Sequence, residues 1–177
     1  MIVGAFDIAG RASGVAIGDA GSVPHFETLR QELDGDEFGP VGTKMRFWVI
    51  GLIVKYRPRH IAFEAPWVPS GSRDASRPTN TRIPRVLIGL AFEIEQIADE
   101  FGITSSERSP QSVRKHFVGH GRPENPKAAV MARCRQLGWP IRNDHEADAG
   151  ALWSFTQSVL DPSFAYKMTP MFARVAG

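Results

Sequence analysis

The chain has 177 residues, 42% of them hydrophobic, and a net charge of +2, values typical of one globular domain with a buried core. Its single cysteine, Cys134, excludes an intramolecular disulfide and favours a reducing compartment. The first residues carry no signal-peptide pattern. The longest apolar run, over 47–54, is far shorter than the roughly 20 residues of a membrane-spanning helix, so no membrane span is expected.

The first predicted elements are three short strands, over 2–8, 13–19 and 23–30. Turn residues separate them, around Gly10 and over 18–22, and this spacing indicates an antiparallel meander. The later predicted elements are a helix at 41–56, a buried strand at 60–64, a loop at 67–81, a helix at 83–101, a strand from 103, a helix from 110, a Gly-rich break at 119–123, and helices at 125–137 and 145–160. Either Asn143 or Asp144 is expected to cap the last helix. The order predicts an α/β domain with a mixed sheet over 1–160, followed by a tail at 161–177.

The helix at 83–101 carries two sets of apolar residues. Its predicted core stripe, at helical spacing, consists of Ile83, Val86, Leu87, Leu90, Ile94, Ile97 and Phe101. Ile88 and Phe92 lie off this stripe. They predict a second apolar face, which contacts either a partner subunit or a neighbouring helix.

Basic residues are concentrated in two segments. Between 108 and 142 they are Arg108, Arg114, Lys115, Arg122, Lys127, Arg133, Arg135 and Arg142, with Glu124 as the single acid. Between 73 and 85 they are Arg73, Arg77, Arg82 and Arg85, with Asp74 as the single acid. One such segment alone is more often a solvated face, but two of them indicate a polyanionic partner such as a nucleic acid.

Four candidate metal ligands follow an order that suits a shared site. Asp7 and Glu64 each end a predicted strand, so neighbouring strands would bring both carboxylates to one edge of the sheet. His145 and Asp148 are three residues apart on the last helix and share a face. The small residues at 149–150 would let that helix approach the sheet closely.

The donor types of this set favour Mg²⁺ or Mn²⁺ over a closed zinc site. Two such ions can activate water and stabilise the leaving oxygen in phosphodiester hydrolysis. Three acids brought together without a cation would repel one another or have raised pKa values. Taken singly, Asp7 is more often a turn residue, Asp148 a partner of the helix dipole, Glu64 a loop acid and His145 a cap or surface residue. Their joint placement favours a site.

Six motifs run through the chain in order: Phe6-Asp7-Ile8-Ala9-Gly10, Ile61-Ala62-Phe63-Glu64, Ser112-Val113-Arg114-Lys115, Gly119-His120-Gly121-Arg122, Asn125-Pro126-Lys127 and His145-Glu146-Ala147-Asp148-Ala149. The first is generic, whereas the last three with their spacing are fairly specific. From about residue 2 to 158 the chain resembles the RuvC family of Holliday-junction resolvases, within the ribonuclease H-like superfamily. The resemblance implies a ribonuclease H-like α/β fold with a mixed five-stranded sheet, three antiparallel strands and then parallel ones, flanked by helices.

The resemblance also implies a function. It is that of a crossover junction endodeoxyribonuclease of DNA recombination and repair, a homodimer that binds branched DNA in the bacterial cytoplasm. Two Mg²⁺ ions would serve as cofactors, with Mn²⁺ as a substitute, and neither an organic cofactor nor a membrane is involved. The implied metal ligands are Asp7, Glu64, His145 and Asp148, and these four with Lys127 form the implied catalytic set. The implied DNA-binding residues are Trp67, Arg73, Arg77, Arg114, Lys115, Arg122 and Lys127.

At several positions the chain departs from the family pattern, or the implied role has an alternative. His145 stands where many relatives carry aspartate, and the adjacent Asp144 is an alternative ligand. Trp67 is either an aromatic wedge at the crossover or plain cover over the site, while Lys115 and Lys127 match lysines near the scissile phosphate. The Arg- and Ser-rich loop at 67–81 departs from the typical bacterial enzyme, which suggests a phage or mobile-element relative.

Three other functions are compatible with parts of the sequence. A broader nuclease of the same fold would cut flaps, forks or RNA–DNA hybrids. The run from Asp7 to Gly14 also resembles the first phosphate loop of actin-like sugar kinases and ATPases, but those enzymes need two such domains and this chain has room for one. A non-catalytic DNA-binding protein would not need the four candidate ligands.

Overall fold

The computed structural model describes residues 1–31, 38–66, 82–120 and 124–164. The predicted loop at 67–81 therefore lies outside the described residues, with Trp67, Arg73 and Arg77, as do Arg122 and the tail beyond Phe164. None of the helices in the described ranges combines the length and the apolar character needed to cross a bilayer.

A mixed five-stranded sheet forms the centre of the fold. Its strands are β1 (Ile2–Asp7), β2 (Ala12–Asp19), β3 (His25–Arg30), β4 (His60–Glu64) and β5 (Thr104–Arg108). The spatial order is β3-β2-β1-β4-β5. The pairs β1–β2 and β2–β3 are antiparallel, whereas β1–β4 and β4–β5 are parallel. The predicted α/β class and the antiparallel-then-parallel sheet are confirmed.

In the ranges that the structure describes, five long helices cover the two faces of this sheet. They are α1 (Gly39–Tyr56), α2 (Arg82–Glu100), α3 (Pro110–Val118), α4 (Pro126–Gln136) and α5 (Asp144–Leu160). Of the two candidate caps of α5, Asn143 is the one that accepts a hydrogen bond, from the Glu146 amide at 3.0 Å. Asn125 caps α4 in the same way through the Ala128 amide, at 3.1 Å.

Alternating side chains along the strands build two separate cores. On one face, Val3 and Ala5 of β1 pack with residues of α3, α4 and α5. On the other face, Phe6 packs with residues of α1 and α2. Because successive strand residues point to opposite faces, Asp7 projects from the same face as Val3 and Ala5, towards α5.

Two sequence-based expectations about bounds and burial are wrong in detail. Strand β3 begins at His25 rather than at residue 23, because Pro24 has no amide hydrogen to donate to the ladder. In the predicted stripe of α2, Ile83 and Phe101 are 41% and 44% exposed. The buried side of α2 runs from Pro84 to Ala98, so the two ends of the predicted stripe lie just outside the part of the helix that is covered.

The tail predicted to start at residue 161 is not separate from the core throughout. Phe164 is 5% exposed, and its ring meets that of Trp153 edge-on, with 5.7 Å between centroids. Packing on the α5 face thus continues past the end of α5 at Leu160. The boundary beyond Phe164 stays a prediction.

Gly14 of β2 brings the start of α5 directly onto the sheet. A Cβ atom placed on Gly14 would lie 2.2 Å from the carbonyl oxygen of His145 and 2.9 Å from the Glu146 amide. These are backbone atoms of α5, which cannot rotate away as a side chain can. The absence of a side chain at Gly14 is therefore what lets the helix that carries His145 and Asp148 touch the strand.

We predict that Gly14→Ala costs about 2–4 kcal/mol of unfolding free energy, because α5 must move off the sheet. Urea denaturation measures this loss. The matched control is Gly51→Ala, at an exposed position of α1 where an added Cβ meets no atom within 4 Å. That substitution should instead stabilise the protein by about 0.5–1 kcal/mol. Equal midpoints for wild type and Gly14→Ala would contradict the close approach.

Candidate active site

Asp7 and Glu64 lie side by side at one edge of the sheet. They are the last residues of the parallel neighbours β1 and β4, whose register pairs Phe6 with Phe63. Both carboxylates project from the face that α5 covers, since Ala5 and Ala62, two residues earlier on each strand, lie in that core. The predicted convergence of the two strand-end acids is thus present.

His145 contacts Asp7 directly. Its Nδ1 lies 2.8 Å from Oδ2 of Asp7, and the two side chains are 25% and 13% exposed. The hydrogen bond to Asp7 raises the pKa of the imidazole above its ordinary value, and burial opposes this only in part. The contact is made possible by the register of β1 and β2, which pairs Asp7 with Gly14, the residue on which the His145 backbone rests.

The partly buried acids of the site repel one another. Burial, followed by the charges of Asp7 and Asp148, raises the pKa of Glu64 to about 8. Burial, followed by the charge of Asp7, raises the pKa of Asp148 to about 7. Asp7, Glu64 and Asp148 are therefore close enough to interact electrostatically, and α5 brings Asp148 to the edge formed by the two strands.

Two cations offset part of this negative charge. Arg114 of α3 lowers the pKa values of both Glu64 and Asp148, although by less than burial raises them. Lys127, in the first turn of α4, forms an ion pair with Asp144, which raises the pKa of the lysine and lowers that of Asp144. Lys127 also opposes the raised pKa of Asp148, so both cations lie within electrostatic reach of the acids.

The donor set of this site suits a hard divalent cation. It combines three carboxylates with one imidazole, and a cation would relieve the repulsion that raises two of the pKa values. Within the described ranges, no three His, Cys, Asp or Glu side chains are already grouped as a metal site. The donors would have to move closer together to share an ion. The metal roles of Asp7, Glu64, His145 and Asp148 stay predictions, as does the choice of Mg²⁺.

The other predicted site residues differ in how close they lie to the acids. Arg114 is the basic residue of α3 whose charge reaches the acids, whereas the neighbouring Lys115 is exposed. Asp144 pairs with Lys127, so it does not take the place of His145 beside Asp7. Gly14 also belongs to the site, and its signal in the sequence is a glycine inside a strand, which indicates a close backbone approach.

Comparison with solved structures identifies the fold. The chain superposes on the RuvC structure from Thermus thermophilus with a TM-score of 0.65 at 18% identity, over 99% of this chain and 96% of that one. It matches T. thermophilus RuvC in complex with Holliday junction substrate with the same TM-score and coverage, at 15% identity. The yeast mitochondrial Holliday junction resolvase Ydc2 matches with a TM-score of 0.55 at 11% identity, over 93% of this chain and 85% of that one.

Sequence comparison alone does not detect a similarity to known proteins. A scan against protein-family models finds no match, and a search of curated proteins finds none. The structural likeness nevertheless extends along nearly the whole chain. The protein has the ribonuclease H-like fold of the RuvC Holliday-junction resolvases.

Proposed function

We propose that the protein is a metal-dependent, structure-selective DNA endonuclease that resolves four-way junctions. The observation that carries the proposal is that Asp7, Glu64 and Asp148 lie within electrostatic range of one another at one edge of a RuvC-like sheet, with His145 in contact with Asp7. Partly buried acids whose pKa values are raised, as those of Glu64 and Asp148 are, are costly to a fold and typical of functional sites. The proposed enzyme acts in the cytoplasm, where its DNA substrate lies.

Each side chain has a proposed role in phosphodiester hydrolysis. Asp7, which lies between His145 and Glu64, would be a ligand of both ions, while Glu64 and Asp148 would each bind at least one. Two Mg²⁺ ions, when bound, would lower the pKa of a water molecule and stabilise the leaving oxygen. His145 orients the Asp7 carboxylate through the 2.8 Å contact or joins it as a ligand.

The cations near the acids are proposed to bind the DNA backbone. Arg114 and Lys127 lie within electrostatic reach of Asp148, so a phosphate held by them would lie beside the acids. A guanidinium can hold a phosphate through two hydrogen bonds, and such contacts fix position without reading sequence. Lys115, Arg73, Arg77 and Arg122 extend the proposed DNA surface, and Trp67 is the proposed wedge at the crossover. One solved neighbour is itself described in complex with a Holliday junction substrate, which supports a branched substrate.

We propose a homodimer that packs through α2. Ile88 and Phe92 are 46% and 59% exposed on this helix, and they form the second apolar face that the sequence indicates. Large exposed apolar side chains grouped on one helix face are typical of subunit contacts. Two copies related by a two-fold axis would present two sites to the two strands of a symmetric junction.

We predict that Asp7→Asn lowers the cleavage rate of a four-way junction in Mg²⁺ at least about a thousandfold, because several kcal/mol of transition-state stabilisation depend on the ions it holds. Binding of the junction in EDTA, measured by gel shift, should be unchanged. The control is Asp99→Asn, an exposed acid near the end of α2, which should cleave as wild type does. Normal cleavage by Asp7→Asn would remove this residue from the site.

A substrate panel separates junction resolution from a broader nuclease. It comprises a four-way junction, a flap, a fork, a linear duplex and an RNA–DNA hybrid, each with Mg²⁺ and with Mn²⁺. The proposal expects cleavage to be fastest on the four-way junction. Faster cleavage of the flap, the fork or the hybrid would favour the broader nuclease.

We predict that Asp148→Asn stabilises the metal-free protein at pH 8. The folded-state pKa of Asp148 is about 7, against 3.8 for the ordinary carboxyl group, so the folded state binds more protons than the unfolded state between these values. Stability conferred by the protonated carboxyl is therefore lost as pH rises through about 7. A neutral side chain avoids a loss on the order of 2 kcal/mol, equivalent to a rise of about 4–8 °C in melting temperature.

Thermal melts in EDTA and in Mg²⁺ test this prediction across pH 5 to 8. Mg²⁺ should raise the melting temperature of the wild type and of Asp99→Asn, but it should have little effect on Asp148→Asn, which lacks the ligand. A melting temperature of the metal-free wild type that rises steadily towards pH 8 would contradict the repulsion at this site.

We predict that Phe92→Glu converts the dimer into a monomer, because a carboxylate would be buried without a partner at the interface. Sedimentation velocity at micromolar concentration measures the change. The matched control is Phe47→Glu, since Phe47 is 70% exposed on α1 and lies outside the proposed interface. A monomeric wild-type protein would refute the proposed dimer, and a dimeric Phe92→Glu would exclude this face.

A further inference from the structure

Three residues lie in one row across the antiparallel part of the sheet. The register pairs Asp7 with Gly14, and Gly14 with Thr28. Because directly paired residues project from the same face, all three positions lie beneath the first turn of α5. His145 contacts Asp7, the backbone of α5 rests on Gly14, and Glu146 contacts Thr28.

Glu146 is a fully buried carboxylate at the outer end of this row. It is 0% exposed. Its Oε1 accepts hydrogen bonds from Thr28 Oγ1 at 2.9 Å, from Arg142 Nε at 2.9 Å and from Arg142 Nη2 at 2.7 Å. Its Oε2 accepts from the Arg142 amide at 2.7 Å. The burial penalty is thus offset, and the pKa of Glu146 lies below its ordinary value despite desolvation.

We propose that Glu146 is a positioning residue for the active site: its bond to Thr28 fixes the first turn of α5 on β3 and thereby holds His145 against Asp7. This inference rests on the proposed function, in which Asp7 and His145 take part in metal binding. Glu146 does not touch the reacting atoms. It acts through the helix backbone, one residue after His145.

The bonds to Thr28 and Arg142 go beyond an ordinary helix cap. Asn143 already caps α5 by accepting from the Glu146 amide at 3.0 Å, and its own Nδ2 donates to Thr28 Oγ1 at 2.9 Å. The Thr28 hydroxyl therefore accepts from Asn143 and donates its hydrogen to Glu146. Glu146 of α5 and the cap residue Asn143 therefore both bind the hydroxyl of Thr28 on β3. These two bonds fix the position of α5 along the strand.

The site requires a carboxylate rather than an amide. Glu146 accepts four hydrogen bonds, one from Thr28 and three from Arg142, and both of its oxygens take part. A glutamine keeps one acceptor oxygen, but its NH₂ group faces a donor of Arg142 whichever way the amide is turned. In one of the two orientations the NH₂ group also faces the Thr28 hydroxyl. Glu146→Gln therefore keeps the volume of the side chain but weakens its link to Arg142 and, in that orientation, its link to β3.

Two variants and two controls test the proposal on the whole protein. Glu146→Gln replaces one of the two acceptor oxygens with a donating NH₂ group, and Thr28→Val removes the hydroxyl while keeping the shape. Thr28→Ser keeps the hydroxyl and should behave as wild type. Val49→Ala lowers stability from the opposite core, where Val49 is 0% exposed on α1, and it controls for a loss of stability alone.

Two readouts are measured on each protein. The ¹⁵N chemical shift of His145 Nδ1, in metal-free protein at fixed pH, reports the bond to Asp7 without any metal. It should change in Glu146→Gln and Thr28→Val, and stay at the wild-type value in Thr28→Ser and Val49→Ala. The dissociation constant for Mn²⁺, from isothermal titration calorimetry without DNA, should rise about 10- to 100-fold in the first two variants only.

The outcomes separate the positioning role from the metal proposal. Wild-type imidazole shifts and Mn²⁺ affinity in Glu146→Gln and Thr28→Val, even with reduced stability, would overturn the positioning role. If the wild type itself binds no Mn²⁺, the proposed metal site fails, while the imidazole shift still decides the role of Glu146. If Glu146→Gln does not fold, the comparison of Thr28→Val with Thr28→Ser alone decides whether the bond between Thr28 and Glu146 positions His145.

Discussion

The direct contact between the first turn of α5 and strand β2 is the constraint on which the candidate active site depends. Only a residue without a side chain fits beneath the His145 carbonyl, and Gly14 supplies it. With the helix backbone on the strand, the imidazole of His145 reaches the carboxylate of Asp7, the partner of Gly14 in the ladder. A helix at the usual spacing from the sheet would leave the two side chains too far apart for a hydrogen bond.

The charges of the site act against the stability of the metal-free fold. Glu64 and Asp148 are partly buried near Asp7, and this burial and the neighbouring charges raise their pKa values. Arg114 and Lys127 offset only part of this effect. Such an excess of negative charge is expected in a site that binds metal cations, because the bound cations neutralise the carboxylates.

Much of the fold follows from local sequence patterns. Asp7 and Glu64 could be placed correctly because each closes an apolar strand, and the order of strands and helices indicated which strands run parallel. The spacing of His145 and Asp148 placed both on one helical face. What the pattern could not provide was register. The pairing of Asp7, Gly14 and Thr28 depends on how three strands align, and no residue in any one strand records that alignment.

The errors have similar causes. The stripe on α2 was extended to Ile83 and Phe101, because periodicity does not report where a neighbouring element stops covering a helix. The predicted role of Lys115 near the phosphate stays a prediction, whereas Arg114, named beside it, is the residue whose charge reaches the acids. Adjacent positions on a helix differ by about 100° in direction, so a shift of one residue in a motif exchanges an exposed charge for one that faces the site. Glu146 was read only as part of a motif, since its partner Thr28 is distant in sequence.

The sheet separates two cores that share few side chains, one beneath α1 and α2 and one beneath α3, α4 and α5. Substitutions on opposite faces of such a layer are far enough apart to have additive effects on stability. The face bearing α1 and α2 can therefore accumulate changes without disturbing the acids. With such independence, a chain that is only 18% identical to T. thermophilus RuvC can still superpose on nearly all of that structure.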